Sequence, residues 1–182
     1  MVSSESLSDI GGYLAPFSGS VYGDVWEIPD FLSSTELSRI ADKVSTKSIS
    51  SESYPNARIW KNTDYDDAFD KTQWLWDNWD MYTNNKSPDS IREVLQVSPA
   101  HMREYPMHTD HGSKALTLLV PIAPGVSTPT RFHGSFGVYP VETIPWKINH
   151  AYMFIPHASL TYHSYIGGDA DRYVINMNFV YK

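Results

Sequence analysis

The segment Tyr105-Pro-Met-His108-Thr-Asp110-His111 places an imidazole and a carboxylate two residues apart. If this segment is a β-strand, whose side chains alternate between the two faces of a sheet, His108 and Asp110 project from the same face. Two candidate metal ligands then lie side by side. A third has to come from a distant strand, and His163 is the candidate, followed by Arg172 at the start of the last apolar run. The sequence therefore predicts a site built from these four residues.

Two histidines and one carboxylate on one face of an octahedral metal leave adjacent positions open. Non-haem Fe(II) oxygenases use this arrangement to bind a chelating co-substrate and dioxygen together. A chelating 2-oxo acid also carries a distant carboxylate, which the planar fork of arginine neutralises with a bidentate pair. Arg172 has that chemistry and follows His163 by nine residues. A His-x-Asp triplet alone arises easily by chance, so the prediction depends on the whole ordered set.

Composition excludes several other classes of protein. At 182 residues the chain is long enough for one domain with a substantial core, and the lack of cysteine rules out disulfides, thiolate zinc sites and iron–sulfur clusters. A formal net charge of −7 disfavours a nucleic-acid partner, whose phosphates need a basic face. No stretch has the roughly 18 consecutive apolar residues of a membrane span, and no secretory signal is visible. We therefore expect a cytoplasmic protein without a membrane partner.

The pattern of the chain predicts a partly ordered lead-in over residues 1–20 and a single domain over residues 21–182. Ser33-Ser-Thr-Glu36 has the spacing of a helix capping box, and a second helical pattern covers residues 66–83. Short apolar runs with period 2 predict strands over residues 21–28, 57–60, 94–97, 101–105, 115–120, 136–139, 150–155, 160–163 and 173–181. This order predicts an α+β, mainly β fold: a double-stranded jelly roll with N-terminal helices packed on one sheet.

The last strand leaves one alternative open. Strict alternation places Arg172, Val174, Asn176 and Asn178 on one face and Tyr173, Ile175, Met177 and Phe179 on the other. An ordinary half-buried strand turns its polar face to solvent, whereas a barrel with a polar interior site turns that face inward. The pattern fits both arrangements.

Taken together, these residues resemble the 2-oxoglutarate/Fe(II)-dependent oxygenases, and their flanks resemble the prolyl 4-hydroxylase-like branch, including its short bacterial and phage members. Tyr105-Pro-Met-His-Thr-Asp110 is similar to the Tyr-x-x-His-x-Asp iron motif of that branch, and Asp171-Arg-Tyr-Val-Ile-Asn176 is similar to its closing strand. Further similarity lies in residues 25–37, in Leu95-Gln-Val97 and in residues 116–121. The resemblance thus runs from about Val25 to the C-terminus.

This resemblance implies a double-stranded β-helix of the cupin type with a defined set of ligands. His108, Asp110 and His163 ligate Fe(II), and Arg172 pairs with the 5-carboxylate of the co-substrate 2-oxoglutarate. A hydroxyl usually supports that carboxylate, and Tyr105 and Thr117 are the candidates. Dioxygen is the second co-substrate, and ascorbate is a candidate accessory reductant.

The implied reaction couples decarboxylation of 2-oxoglutarate to succinate and CO₂ with hydroxylation of an unactivated C–H bond. The carboxylate of Asp110 argues against halogenation, because halogenating relatives have a small residue at that position. The remaining histidines fit no place in the ligand set, although His111 or His133 could contact the substrate.

Departures from the branch leave the substrate open. Pro99 stands where the branch often has a further tyrosine, and residues 130–136 and 148–150 replace a glycine-rich segment and a Pro-Gly-Asp turn. A free amino acid, another small molecule and an exposed protein side chain all fit, and the sequence does not indicate an oligomeric state. Two other functions also remain. One is a non-catalytic jelly-roll metal-binding or assembly module, and the other is a cupin-type dioxygenase that needs no 2-oxoglutarate and hence no Arg172.

Overall fold

The computed structural model describes residues 25–46, 53–54, 57–61, 88–100, 104–110, 112–133, 140–158 and 161–181. The elements in these ranges are β1 (Val25–Ile28), α1 (Ser34–Thr46), β2 (Ser53–Tyr54), β3 (Ala57–Lys61), β4 (Ser90–Ser98), β5 (Tyr105–Thr109), β6 (Lys114–Ala123), β7 (Thr130–His133), β8 (Pro140–Ile144), β9 (Ala151–Phe154), β10 (Tyr162–Tyr165) and β11 (Arg172–Val180). The predicted lead-in, the predicted helix over residues 66–83 and the predicted strand over residues 136–139 lie outside the described residues. Within them, no helix is long and apolar enough to cross a membrane.

The strands form two antiparallel sheets. The larger sheet has the order β1-β9-β6-β11-β4-β3-β2, and the smaller sheet has the order β5-β10-β7-β8. From β5 onwards the chain winds back and forth between the two sheets, with β7 and β8 paired in the smaller one. This winding is a double-stranded β-helix, so the predicted fold is confirmed.

Helix α1 packs on the outer face of the larger sheet. The Ser33 amide donates to Glu36 Oε2 (2.7 Å) and the Glu36 amide donates to Ser33 Oγ (3.3 Å), so the predicted capping box is confirmed. Ile40 and Val44 from the helix are buried in one apolar cluster with residues of β6 and β11 such as Leu118. The helix thereby shields one face of the central strands from water.

Strand β11 is buried on both of its faces. Ile175 and Met177 are fully buried in the cluster beneath α1. On the opposite face Arg172 and Asn178 are also buried, and they line a cavity between the two sheets. The polar face of the last strand therefore points into a polar interior and not to solvent, which decides between the two arrangements that the pattern left open.

Several strands differ from the predicted bounds. The strand predicted over residues 101–105 is described from Tyr105, where it begins, and it runs on to Thr109. The pattern predicts neither β7 nor β8, because both strands are short and Pro140 indicates a break at the start of β8. These two strands pair with each other, and β7 also pairs with β10. Tertiary pairing overrides the weak local preference.

Asn149 forms hydrogen bonds both to the segment before α1 and to the larger sheet. Its buried side chain accepts a hydrogen bond from the Leu32 amide (2.7 Å) and donates one to the Leu32 carbonyl (2.8 Å). Its own amide donates to the carbonyl of Pro121, and its carbonyl accepts from the amide of Phe31. Its φ of 59° lies in the left-handed region, which asparagine tolerates better than most residues other than glycine.

We predict that Asn149→Ala lowers the free energy of unfolding by about 3 kcal/mol, because two buried backbone groups of Leu32 lose their partners and alanine is disfavoured at positive φ. Asn149→Gly loses only the side-chain hydrogen bonds, so we expect a smaller loss of about 2 kcal/mol. Urea unfolding followed by tryptophan fluorescence measures both values. Losses below about 0.5 kcal/mol in both variants would contradict this role.

Candidate active site

Strands β5 and β10 of the smaller sheet bring two distant histidines together. His108 is paired directly with His163 in the antiparallel ladder, so both side chains project from the same face. Their ring centroids lie 4.3 Å apart. Asp110 follows two residues after His108, where β5 ends, and its Oδ1 lies 3.9 Å from His108 Nε2. One ligand atom from each of these three residues lies within 4.8 Å of the other two, which fits coordination of a single metal ion.

Backbone carbonyls fix the nitrogen that each histidine presents to the site. His108 Nδ1 lies 2.9 Å from the carbonyl oxygen of Pro106, and His163 Nδ1 lies 3.0 Å from that of Thr161. A carbonyl oxygen only accepts, so each Nδ1 carries the proton and donates. Each Nε2 therefore keeps its lone pair for a metal, the arrangement that orients histidine ligands in metal sites.

His163 is held in an apolar environment. Its ring lies against Phe132 and Phe154, with centroids 5.6 Å and 5.3 Å away. Burial, together with the neighbouring His108, lowers the pKa of His163 to about 4, although Asp110 opposes this shift. The imidazole is thus neutral near pH 7, as a metal ligand has to be.

Asp110 is a buried carboxylate with a hydrogen-bond donor on each oxygen. Thr117 Oγ1 donates to Oδ2 (2.9 Å), and Lys114 Nζ donates to Oδ1 (2.5 Å). Burial alone would raise the pKa of Asp110, but His163, the Lys114 ammonium and these two hydrogen bonds together hold it below its usual value. The carboxylate is therefore ionised near pH 7.

Lys114 is a site residue that the sequence pattern does not reveal. It lies three residues before Thr117, and strict alternation would turn the two side chains to opposite faces. A bulge in the β6–β11 ladder changes this: Leu116 pairs with Phe179, but Lys114 pairs with Val180, so one extra residue lies between them on β6. Both side chains then reach the carboxylate of Asp110. Since pairing with β11 creates the bulge, no local signal in β6 predicts it.

Arg172 lies at another end of the same cavity. Its guanidinium group is stacked between Trp146 and Tyr165, with Cζ 4.4 Å and 4.1 Å from the two ring centroids. Nη1 donates to Thr128 Oγ1 (3.3 Å), whereas the buried Nε has no hydrogen-bond partner among the described residues. An unsatisfied buried N–H in a fixed planar fork fits a carboxylate acceptor.

Three hydroxyl groups lie near Arg172: that of Thr128, which accepts from Nη1, that of Tyr165, which lines the cavity, and that of Ser98. Ser98 is the partner of Arg172 across β4 and β11, and its Oγ shares a 2.5 Å hydrogen bond with the Tyr165 hydroxyl. Gln96 Nε2 also donates to that hydroxyl (3.3 Å). Burial raises the pKa of Tyr165 to about 12, so the phenol stays protonated. Tyr165 follows His163 by two residues on the same strand, a spacing that could have pointed to it.

The two hydroxyl residues expected beside Arg172 occupy different places. The ring of Tyr105 stacks on Tyr165 with centroids 5.0 Å apart, so Tyr105 does lie in this part of the cavity wall. Thr117 pairs with Asn178, six residues along β11 from Arg172, which is about 20 Å along the strand. The Thr117 hydroxyl contacts Asp110, so its expected role beside an Arg172-bound carboxylate stays a prediction without a supporting contact in the structure.

A cavity of about 330 Å³ between the sheets connects these groups. Its lining includes the three candidate ligands and Arg172, with Val94, Leu119 and Val174 as apolar walls. His133 is not part of the lining, since its Nε2 bonds Ser164 Oγ (2.9 Å), and His111 lies outside the described residues. The suggested contact between His133 and a substrate thus has no support in the structure.

The chemistry of these donors fits a divalent metal and a 2-oxo acid. Two imidazoles and one ionised carboxylate are a suitable ligand set for Fe(II) that leaves further coordination positions free. Arg172 is a buried cation without a carboxylate partner among the described residues, and its Nε is unsatisfied. A ligand that carries a carboxylate would satisfy both the charge and the free N–H.

Solved structures with the same fold were found by comparison. A Trichoplax adhaerens prolyl hydroxylase, in complex with a hypoxia inducible factor peptide fragment, matches with a TM-score of 0.61 at 14% identity over 88% of this chain and 84% of that one. A Pseudomonas putida prolyl-4-hydroxylase matches with a TM-score of 0.61 at 11% identity over 89% and 94% of the two chains. The chain has the prolyl hydroxylase fold.

A third match with this prolyl hydroxylase fold is the viral collagen prolyl hydroxylase of Paramecium bursaria Chlorella virus-1, solved as a 2-oxoglutarate complex. Its TM-score is 0.59 at 16% identity, over 87% of this chain and 96% of that one. No protein-family model and no curated protein sequence matches the chain. The resemblance to the prolyl 4-hydroxylase-like branch is thus confirmed at the level of the fold.

We predict that the metal-free protein loses stability as the pH falls from about 6.5 towards about 4. The pKa of His163 is about 4 in the folded state, against 6.5 for an ordinary histidine, so in this range the unfolded chain binds a proton that the folded chain excludes. The free energy of unfolding therefore falls as the pH falls. The lowered pKa of Asp110 acts only below about 3.8, outside this window.

Urea unfolding in the presence of a chelator, at about pH 7 and about pH 5, measures this loss. His133 also has a lowered pKa, so the comparison is made with His163→Asn, which retains His133. The loss between the two pH values should be smaller in His163→Asn than in the wild type. An equal loss in both proteins would show that His163 is not buried in its neutral form.

Proposed function

We propose that this protein is a non-haem Fe(II)- and 2-oxoglutarate-dependent dioxygenase that hydroxylates an unactivated C–H bond. One observation carries the proposal: three clustered metal-ligand side chains and a buried arginine with an unpartnered Nε line the same cavity. The prolyl hydroxylase fold of the chain is compatible with this function.

His108, Asp110 and His163 would hold the iron. The Nδ1–H of each histidine donates a hydrogen bond to a backbone carbonyl, which fixes the ring and aims Nε2 at the metal. Thr117 orients the carboxylate of Asp110 through Oδ2. Since Asp110 supplies a carboxylate at this position, hydroxylation or a related oxidation is favoured over halogenation.

Arg172 would bind the 5-carboxylate of 2-oxoglutarate through its Nε and an Nη. Stacking between Trp146 and Tyr165 holds the guanidinium in one plane before the co-substrate arrives, which lowers the entropic cost of binding. The protonated Tyr165 lines the cavity beside Arg172, and its hydroxyl is hydrogen-bonded to that of Ser98. Among the proposed hydroxyl partners, Tyr165 thus takes the place of Thr117, and Tyr105 packs against Tyr165.

Bound Fe(II), 2-oxoglutarate and dioxygen would supply the oxidising chemistry, in which 2-oxoglutarate becomes succinate and CO₂. The protein itself would position the metal ligands and the co-substrate and limit access of water. Apolar side chains of Val94, Leu119 and Val174 limit water in the cavity, and the antiparallel pairing of β5 with β10 holds the ligand histidines in place. The substrate would have to place its C–H bond in the part of the cavity next to His108, Asp110 and His163.

Arg172 also bears on the two competing functions. A metal-binding or assembly module and a cupin-type dioxygenase without an oxo-acid co-substrate both lack a use for a buried arginine with a free Nε. Burying such a cation without an anionic partner is costly, so a bound carboxylate accounts for its position better than either alternative does.

We predict that anaerobic addition of 2-oxoglutarate to the Fe(II)-loaded protein produces a weak visible charge-transfer band, because chelation by the 2-oxo acid requires open positions on the iron. Asp110→Ala should abolish the band by loss of iron. Arg172→Gln should retain iron but need about 10- to 100-fold more 2-oxoglutarate, since charge-assisted hydrogen bonds are lost. Arg131→Gln is the matched control, because Arg131 lies on β7 outside the cavity lining.

The same proteins are then assayed for succinate release in air, with ascorbate present. Iron binding without a band and without succinate would favour the binding module over the proposed dioxygenase. Oxygen consumption without succinate release would favour the cupin-type dioxygenase that needs no 2-oxoglutarate. Loss of iron in Arg172→Gln would show that this residue supports the metal and not the co-substrate.

A further inference from the structure

We propose that Arg92 and Lys114 form a second anion-binding end of the cavity, and that the substrate is a small carboxylic acid, such as a free amino acid, whose carboxylate binds there. This inference depends on the proposed function, because it assigns Arg172 to the co-substrate and Asp110 to the metal. It adds the chemical class of the substrate and two residues that select it.

The strand register places both cations on the cavity face, away from Arg172. Arg92 pairs with Asn178 across β4 and β11, and Asn178 pairs with Thr117 across β11 and β6. Arg92 and Thr117 therefore flank one residue of β11, about 10 Å apart at their Cα atoms. Lys114 reaches the same side through the bulge in β6. Two long cationic side chains can thus converge on one carboxylate beside the metal ligands.

The charges along the cavity are strongly one-sided. Among the described residues that line it, Arg92, Lys114 and Arg172 are basic, and Asp110 is the only acidic one. This contrasts with the formal net charge of −7 of the whole chain. With Arg172 bound to the co-substrate and Asp110 bound to a divalent metal, the two remaining cations face the cavity without a matching anion. An anionic substrate group supplies that match.

The contacts of Lys114 change when the metal site is filled. In the structure its ammonium is partly buried and makes its ion pair with Asp110, with 28% of the side chain exposed. A divalent cation bound to the Asp110 carboxylate outweighs the single negative charge of that carboxylate and repels the Lys114 ammonium. Lys114 then needs another acceptor, since a partly buried ammonium is costly without one. A substrate carboxylate beside the metal is placed to accept it.

Arg92 supports the same subsite without touching the ligands. It is exposed at the outer end of β4, and within the described part of the chain it makes no ion pair. Between it and Arg172 the cavity floor is neutral: Asn178 Nδ2 donates to Asn176 Oδ1 (2.8 Å), and Asn176 Nδ2 donates to Gln96 Oε1 (3.2 Å). The amides separate two anion-binding ends, one for the co-substrate and one for the substrate.

The test measures binding to the anaerobic Fe(II)·2-oxoglutarate protein, in which no turnover occurs. Each proteinogenic L-amino acid is compared with its primary amide by calorimetry and by perturbation of the charge-transfer band. We expect at least one free amino acid to bind about tenfold or more tightly than its amide, because the amide lacks the charge. Arg92→Gln should reduce this preference to below about threefold without changing the 2-oxoglutarate requirement.

Arg131→Gln serves as the control and should keep the full preference for the free acid. Lys114→Met should also reduce the preference, with the band measured to check that iron and 2-oxoglutarate still bind. If the charge-transfer band forms but amino acids and their amides bind equally tightly, this inference is wrong and the proposed function stands. The same conclusion follows if the band forms and peptides bind but no free amino acid does. Absence of the band in the wild type overturns the proposed function, and this inference with it.

Discussion

The pairing of β5 with β10 is the constraint on which the candidate site depends. It sets His108 directly opposite His163, although 55 residues separate them in the chain, and a shift of one residue would turn one imidazole to the other face. The same pairing carries Asp110 and Tyr105 on one side and Tyr165 on the other. The four-stranded sheet and the residue that follows β5 thus supply the three candidate metal ligands, and the same sheet supplies the stacked rings of Tyr105 and Tyr165.

Strand β11 sets the chemical character of the interior. Its Ile175 face joins the apolar core under α1, while its Arg172 face meets the cavity. The buried polar groups of that face are satisfied by one another and by Gln96, Thr117 and Thr128, with the exception of the Arg172 Nε. The polar network therefore leaves its free hydrogen-bonding capacity at the position where the proposed co-substrate carboxylate binds.

Much of the fold and of the site is predictable from local signals. The capping box at Ser33, the apolar face of α1 and the alternation in β11 each reflect a short-range rule, and the structure bears them out. The chemistry and the order of His108, Asp110, His163 and Arg172 indicate a metal site with a nearby arginine, and the resemblance to the oxygenases implies their roles. Strands β7 and β8 are not predictable in this way, because four or five residues carry too short a pattern and their positions depend on pairing with each other and with β10.

The sequence by itself determined which residues have the chemistry of ligands and which strands alternate between polar and apolar faces. Only the tertiary structure decided how those faces are used. The bulge in β6 that turns Lys114 towards Asp110 arises from pairing with β11, and the stacking of Arg172 between Trp146 and Tyr165 joins three separate segments. The contact of the Thr117 hydroxyl with Asp110, far from Arg172, has the same cause. Register and contact across strands depend on residues far apart in the chain, so no local pattern carries them.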